Sequence, residues 1–155
     1  MKQTVNIFWF RRDLRLDDNH GLFKALNGNQ PVLPIFIFDT EILERLPKDD
    51  ARVTFIHETL QSIRETLLEH NSSLAIFYGK PIEIYKQLIE NYTIESVYSN
   101  HDYEPYALKR DEEIGQFLKE QNIAFQTFKD QVIFEKNDVT KSDGLSYLVY
   151  TPYMK

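Results

Sequence analysis

Short apolar runs alternate with longer stretches whose apolar residues recur at steps of three and four. Val5 to Phe10 is the first run, and Asp17 and Asp18 behind it can cap a helix ending near Gly28, a residue suited to a left-handed terminator. Val32 to Phe38 is almost wholly apolar, as a strand buried on both faces requires. From Asp50 onward Val53, Ile56, Leu60, Ile63 and Leu67 draw one stripe along a helix, with the preceding carboxylates placed to cap it. Leu74 to Tyr78 reads as a third strand. Gly79-Lys80-Pro81 then opens a helix whose buried stripe is Ile82, Tyr85, Leu88 and Ile89. A fourth strand over Ile94 to Tyr98, a helix from about Glu104 to Glu120 and a fifth strand over Ile123 to Phe128 complete the alternation.

This order predicts an α/β fold, a doubly wound five-stranded parallel sheet of Rossmann-like type, occupying residues 1–130. The ligand crevice of such a sheet lies beyond the carboxyl ends of its strands, where strand order reverses. Four loops are therefore of interest, following Phe10, Phe38, Tyr78 and Tyr98. After Asp130 the periodicity fades, Asn-Asp, Ser-Asp-Gly and Thr-Pro punctuate the chain, and only Leu145 to Tyr150 carries a weak strand signal. Residues 131–155 read as a linker.

Composition narrows the chemistry. A length of 155 residues with 42% hydrophobic content suits one domain. With no cysteine, disulfides, thiolate metal sites and thiol nucleophiles are excluded, and no apolar stretch has the length of a signal core or membrane span, so a cytoplasmic protein is expected. A net charge of −6 has the wrong sign for gripping phosphate backbones unaided. No glycine-rich phosphate loop or serine elbow is present, and His20, His57, His70 and His101 lack metal-ligand spacing. Nothing nominates a catalytic acid, base or nucleophile.

The loops are distinctive in combination. The first carries WFRRDLRLDDN, in which Arg11, Arg12 and Arg15 alternate with Asp13, Asp17 and Asp18. Charge alone reads this segment as an ion-paired loop fixing the first crossover. The second opens FIFDTEIL and leads to Arg52, and the fourth reads NHDYEPYALKRDEE, with Asp102 and Glu104 near the crevice. WFRRDLRLDDN resembles the opening signature of photolyases and cryptochromes. The Phe-Asp after the second strand, Arg52 with Phe55, Asp102-Tyr103-Glu104-Pro105-Tyr106 with Arg110-Asp111, and the closing Tyr-x-Val-Tyr-Thr-Pro-Tyr follow in that family's order.

The resemblance implies an N-terminal antenna domain, with a linker leading to a helical domain that binds FAD and receives the DNA lesion. On this reading the chain is a fragment, inactive alone, whose partners are a pigment in the crevice and the helical domain of its parent, with DNA met only through that parent. The parent would be a deoxyribodipyrimidine photolyase, repairing pyrimidine dimers by light-driven electron transfer from reduced FAD. A signalling cryptochrome is the alternative, and a free-standing nucleotide-binding domain of the stress-protein kind is a third reading. The family's folate site has an asparagine-glutamate pair where Tyr106 and Ala107 stand here, and a histidine where Leu46 stands. Those departures count against methenyltetrahydrofolate and favour an 8-hydroxy-5-deazaflavin or a flavin. Phe36, Ile37, Phe38 and Asp39 would then line the ring, and Arg52, Asp102 and Glu104 would anchor it.

Overall fold

The computed structural model describes residues 1–135, 138–141 and 144–145. Ten elements run in the order β1 (Gln3–Phe10), α1 (His20–Leu26), β2 (Val32–Asp39), α2 (Thr40–Leu43), α3 (Ala51–Glu69), β3 (Ala75–Gly79), α4 (Pro81–Asn91), β4 (Tyr92–Asn100), α5 (Pro105–Glu120) and β5 (Ala124–Phe128). The strands form one five-stranded sheet in the order β3-β2-β1-β4-β5, and every pairing is parallel. The order of strand addition reverses between β1 and β4, with β2 and β3 laid down on one side and β4 and β5 on the other, which places a crevice at the carboxyl ends of the central strands.

The doubly wound arrangement follows from the period of two along buried strands. In β1, Ile7 and Trp9 point to one face and join Ile35, Ile37, Tyr85, Leu88, Val97, Ile114 and Leu118 under α4 and α5. Phe8 and Phe10 point to the other, with Leu22, Phe36, Leu60, Ile63 and Tyr98 under α1 and α3. Because both faces are covered, β2 carries no polar alternation and reads as an almost unbroken apolar run, while β1 admits the buried Asn6 and β4 the exposed Glu95 and the buried Ser96.

Several boundaries differ from the sequence expectation. Asn19, not Asp17 or Asp18, caps α1, accepting a hydrogen bond from the Leu22 amide at 3.1 Å. Asp18 has a left-handed φ of 50°, which is incompatible with the extended backbone of a cap. Gly28 is no left-handed terminator, since the positive-φ glycines among the described residues are Gly79 and Gly144. It serves a close approach instead, because a Cβ there would lie 2.6 Å from Asn6 Nδ2. In α4 the fully buried stripe is Ile84, Tyr85 and Leu88, with Ile82 and Ile89 at its margins. Along α3 only Leu60 and Ile63 are fully buried, while Val53, Ile56 and Leu67 are half-buried. Gly79 turns the chain from β3 into α4 at φ +151°, a backbone state that side-chain-bearing residues avoid.

No described residue beyond 130 is helical or in a strand. The weak strand signal over 145–150, beyond Leu145 itself, and the closing Tyr-x-Val-Tyr-Thr-Pro-Tyr lie outside the described residues. No helix among the described residues is long and apolar enough to cross a membrane.

Gly21 is where α1 meets the sheet most closely. A Cβ there would lie 2.7 Å from Asn100 Oδ1 and 3.0 Å from Phe8 Cε2. Asn100 cannot swing aside, because its side chain is held at both ends. Gly21→Ala is therefore expected to destabilise the domain by about 1–3 kcal/mol, reversing the gain of about 1 kcal/mol that alanine usually brings to a helix. Urea denaturation with an unchanged m-value checks this.

Candidate functional site

The signature segment WFRRDLRLDDN leaves the end of β1 and folds into a buried polar knot. Asp13 accepts from the Arg11 amide at 2.8 Å and from Asn100 Nδ2 at 2.6 Å, and Asn100 Nδ2 also donates to Asn19 Oδ1 at 2.8 Å. Asn100 Oδ1 accepts from the Gly21 amide at 2.8 Å. Arg11 Nη1 donates to Asp111 Oδ1 at 2.6 Å, and Nη2 donates to Ser99 Oγ at 2.6 Å and to the Asn100 carbonyl. Arg15 donates to Asp130 Oδ1 at 2.8 Å. These groups tie β1, α1, β4, α5 and the end of β5 together. Most of the signature is thus structural, as its charge pattern predicts.

Arg12 alone of the three arginines turns the other way, toward Asp102 at 3.7 Å and Glu104 at 3.3 Å. It stands on the rim of a cleft of about 580 Å³ at the carboxyl ends of β1 and β2. Phe36, Phe38, Ile42, Leu43, Leu46 and Ile56 give that cleft apolar walls, with Trp9 also on its lining. All seven residues singled out from sequence line it: Phe36, Ile37, Phe38 and Asp39 from β2, Arg52 from α3, and Asp102 and Glu104 from the loop before α5. The loop after Tyr78 contributes no lining residue, so three of the four expected loops converge.

The polar members are already engaged. Asp39 caps α2 through the Glu41 amide at 3.0 Å and accepts from Tyr106 Oη at 2.6 Å, joining α2 to α5 across the cleft. Burial and the neighbouring Asp39 carboxylate push the Tyr106 phenol up, so it stays a protonated donor. Arg52 is 71% exposed and bonded to Asp50 Oδ2 at 2.6 Å at its own helix start. That bond holds the Asp50 carboxyl at about 2, below its ordinary 3.8. Asp102 is 7% exposed, and its Oδ1 accepts from the Glu104 amide at 3.3 Å at the entry to α5. Glu104 is the exposed N-cap residue of α5 and bonds Arg12.

The sequence reading passed over Ile42, Leu43 and Arg45 on the cleft wall, and took Arg12, Tyr106 and Arg110 only as parts of motifs. Arg45 lies over the Tyr106 ring at 5.5 Å, and Arg110 lies over Trp9 at 4.8 Å. Ile42 and Leu43 belong to the one-turn helix α2, which is too short to show a period. The Asp39-Thr40-Glu41 capping pattern was the available signal.

The family model described as DNA photolyase matches residues 6–155. The chain belongs to the DNA photolyase family. A deoxyribodipyrimidine photo-lyase of Synechococcus is 33% identical over 149 residues, covering 96% of this chain and 31% of that protein. A bacterial class III photolyase from Agrobacterium tumefaciens superposes with a TM-score of 0.85 at 28% identity, covering 98% of this chain and 31% of that one. An archaeal photolyase from Sulfolobus tokodaii, described with two FAD molecules and an implied novel light-harvesting cofactor, superposes with a TM-score of 0.74 at 31% identity. That match covers 86% of this chain and 31% of the archaeal protein. The present chain thus spans about a third of the length of these photolyases.

Proposed function

We propose that this domain is the light-harvesting unit of a deoxyribodipyrimidine photolyase, holding a planar pigment in the cleft between β2, α3 and the start of α5. In this reading a helical domain outside residues 1–155 carries FAD and the DNA groove. The whole protein splits pyrimidine dimers by light-driven electron transfer from reduced FAD, and the pigment supplies excitation through space. The observation that carries the proposal is the convergence of the seven residues from three separated segments on one cleft of about 580 Å³. That volume falls within the ordinary range for small-molecule sites, roughly 300–1,000 Å³, and its apolar walls with a few polar groups match what a planar ring needs.

The lining favours a flavin-type ring, an 8-hydroxy-5-deazaflavin or a flavin, over methenyltetrahydrofolate. Phe36 and Phe38 supply an aromatic wall, Leu46, Tyr106 and Ala107 occupy the positions where a folate site would place polar groups, and Arg52, Asp102 and Glu104, which also line the cleft, would be the anchors. When bound, the pigment supplies absorption of blue or near-ultraviolet light. The chain's part is to exclude water and fix the ring's orientation.

Titration of the purified domain with 8-hydroxy-5-deazaflavin, FMN and methenyltetrahydrofolate, read by absorbance and fluorescence anisotropy, tests the reading. One of the first two should bind more tightly than the folate. An Arg52→Ala, Asp102→Ala double variant, shown to be folded by circular dichroism, should bind at least about tenfold more weakly, as expected for losing a charge-assisted contact. Failure of all three to bind the folded domain sinks the pigment role, and undiminished affinity in the double variant sinks the anchors. Blue-light repair of dimer-containing DNA by the full-length protein separates a photolyase from a signalling cryptochrome.

A further inference from the structure

We propose that Arg110, seconded by Arg11, preserves the excited state of a pigment in the cleft by making Trp9 a poor electron donor. The inference rests on the reading of the cleft as a pigment site. Trp9 is the chain's single tryptophan, is 2% exposed and lines the cleft. An indole beside an excited flavin-type ring is a hazard to light harvesting. One electron can pass from the indole to the excited ring, leaving a radical cation on Trp9 and one added electron on the ring. When that electron returns, the excitation is lost as heat instead of being passed on.

The surroundings of Trp9 oppose that first electron transfer. The guanidinium carbon of Arg110 lies 4.8 Å from the ring centroid and that of Arg11 lies 5.0 Å away. Both cations are fixed by one carboxylate, Asp111, which Arg11 Nη1 meets at 2.6 Å and Arg110 Nη2 meets at 3.1 Å. Two cations against one anion leave a net positive charge beside the indole. That charge is attracted to the electron-rich face of the neutral ring and repelled by the radical cation, so both effects make electron loss harder. Tyr85, edge-on to Trp9 at 5.5 Å, supplies no compensating negative charge, because burial pushes its phenol up.

The distribution of these contacts supports the inference. Among the described residues, the four guanidinium–ring contacts fall on Trp9 and Tyr106, both of which line the cleft. Tyr106 differs in one respect. Its hydroxyl donates to Asp39 at 2.6 Å, a carboxylate able to take the proton if the ring lost an electron, so cations protect it less. A clean test therefore uses a Tyr106→Phe background.

In that background, FMN is bound to the purified 155-residue chain and its fluorescence lifetime is measured. Arg110→Met should shorten the lifetime by about threefold or more, given the Coulomb energy of one charge at this distance. Arg110→Lys should keep it long, and adding Trp9→Phe to Arg110→Met should restore it. An unchanged lifetime in Arg110→Met, or a shortening that persists without Trp9, overturns the inference. A pigment-free arm separates this from the functional reading. Flash-generated tris(bipyridine)ruthenium(III) oxidises Trp9 in the domain alone, and Arg110→Met should speed formation of the tryptophan radical. No acceleration overturns the inference even where FMN binds, and acceleration in a domain that binds none of FMN, 8-hydroxy-5-deazaflavin and methenyltetrahydrofolate supports the charge effect while overturning the pigment reading.

Discussion

Asn100→Ala is expected to destabilise the domain by about 3–5 kcal/mol, because several buried polar groups lose their partner at once. The Asn100 side chain bonds Asp13 Oδ2 at 2.6 Å, Asn19 Oδ1 at 2.8 Å and the Gly21 amide at 2.8 Å. All four residues are buried. Alanine leaves a carboxylate, a capping amide oxygen and a helix amide without their shared neighbour, in a space too polar to close by packing. Equilibrium urea denaturation at neutral pH checks it. A loss below about 1 kcal/mol would mean that water replaces the side chain without strain, and the knot would not be what joins α1 to the sheet. Asn100→Asp should be at least as damaging, since it sets a second carboxylate against Asp13.

The neighbouring arginines of the signature should respond very unequally. Arg11→Met is expected to cost about 3–5 kcal/mol, the usual result of removing one partner of a buried ion pair. Its side chain is 6% exposed, is bonded to Asp111 and Ser99, and stacks on Trp9. Arg12→Ala should change stability by less than about 1 kcal/mol, because its side chain is 58% exposed and its ion pairs are open to water. Thermal melts of the two variants side by side provide the comparison. Equal losses would show that the segment acts as one charged loop without the division of labour seen in the structure.

That contrast shows how far the sequence could be read. Alternating charges after β1 announce an ion-paired crossover, yet Arg11 and Arg12 are adjacent and chemically identical. Which of them enters the knot depends on Ser99, Asn100 and Asp111, which lie 88 to 100 residues along the chain. Asn100 itself gave no signal, because an asparagine at a strand end reads as ordinary loop punctuation. Likewise the carboxylates at 17 and 18 and the asparagine at 19 are all good capping residues. The left-handed φ of 50° at Asp18 rules it out, and that angle depends on how the knot closes.

The strands were legible for a physical reason: each is a short apolar-rich run set between helical stripes, most continuous in β2, and that alternation suits a parallel sheet with helices on either side. The helices Ala51–Glu69, Pro81–Asn91 and Pro105–Glu120 were legible because their stripes recur over several turns with capping residues or proline at their starts. The one-turn helix α2 was not, since four residues carry no period. Val53 and Ile56 explain the misjudged part of the α3 stripe. They are apolar at the right spacing, but both line the cleft, Ile56 while also packing against the core, and sequence pattern cannot tell a pocket wall from a core.

By itself, then, the sequence determined the α/β class, the parallel alternation and the loops that matter, because these follow from short-range periodicity and from the burial of the central strands on both faces. Tertiary structure alone decided that three loops, not four, meet at the cleft, and that Tyr106, Arg45 and Arg110 join its wall. It also decided that Asp39, Arg52 and Asp102 already hold protein partners. Those outcomes are set by contacts between residues far apart in the chain, where hydrogen-bond geometry selects one partner among several of the same chemical type.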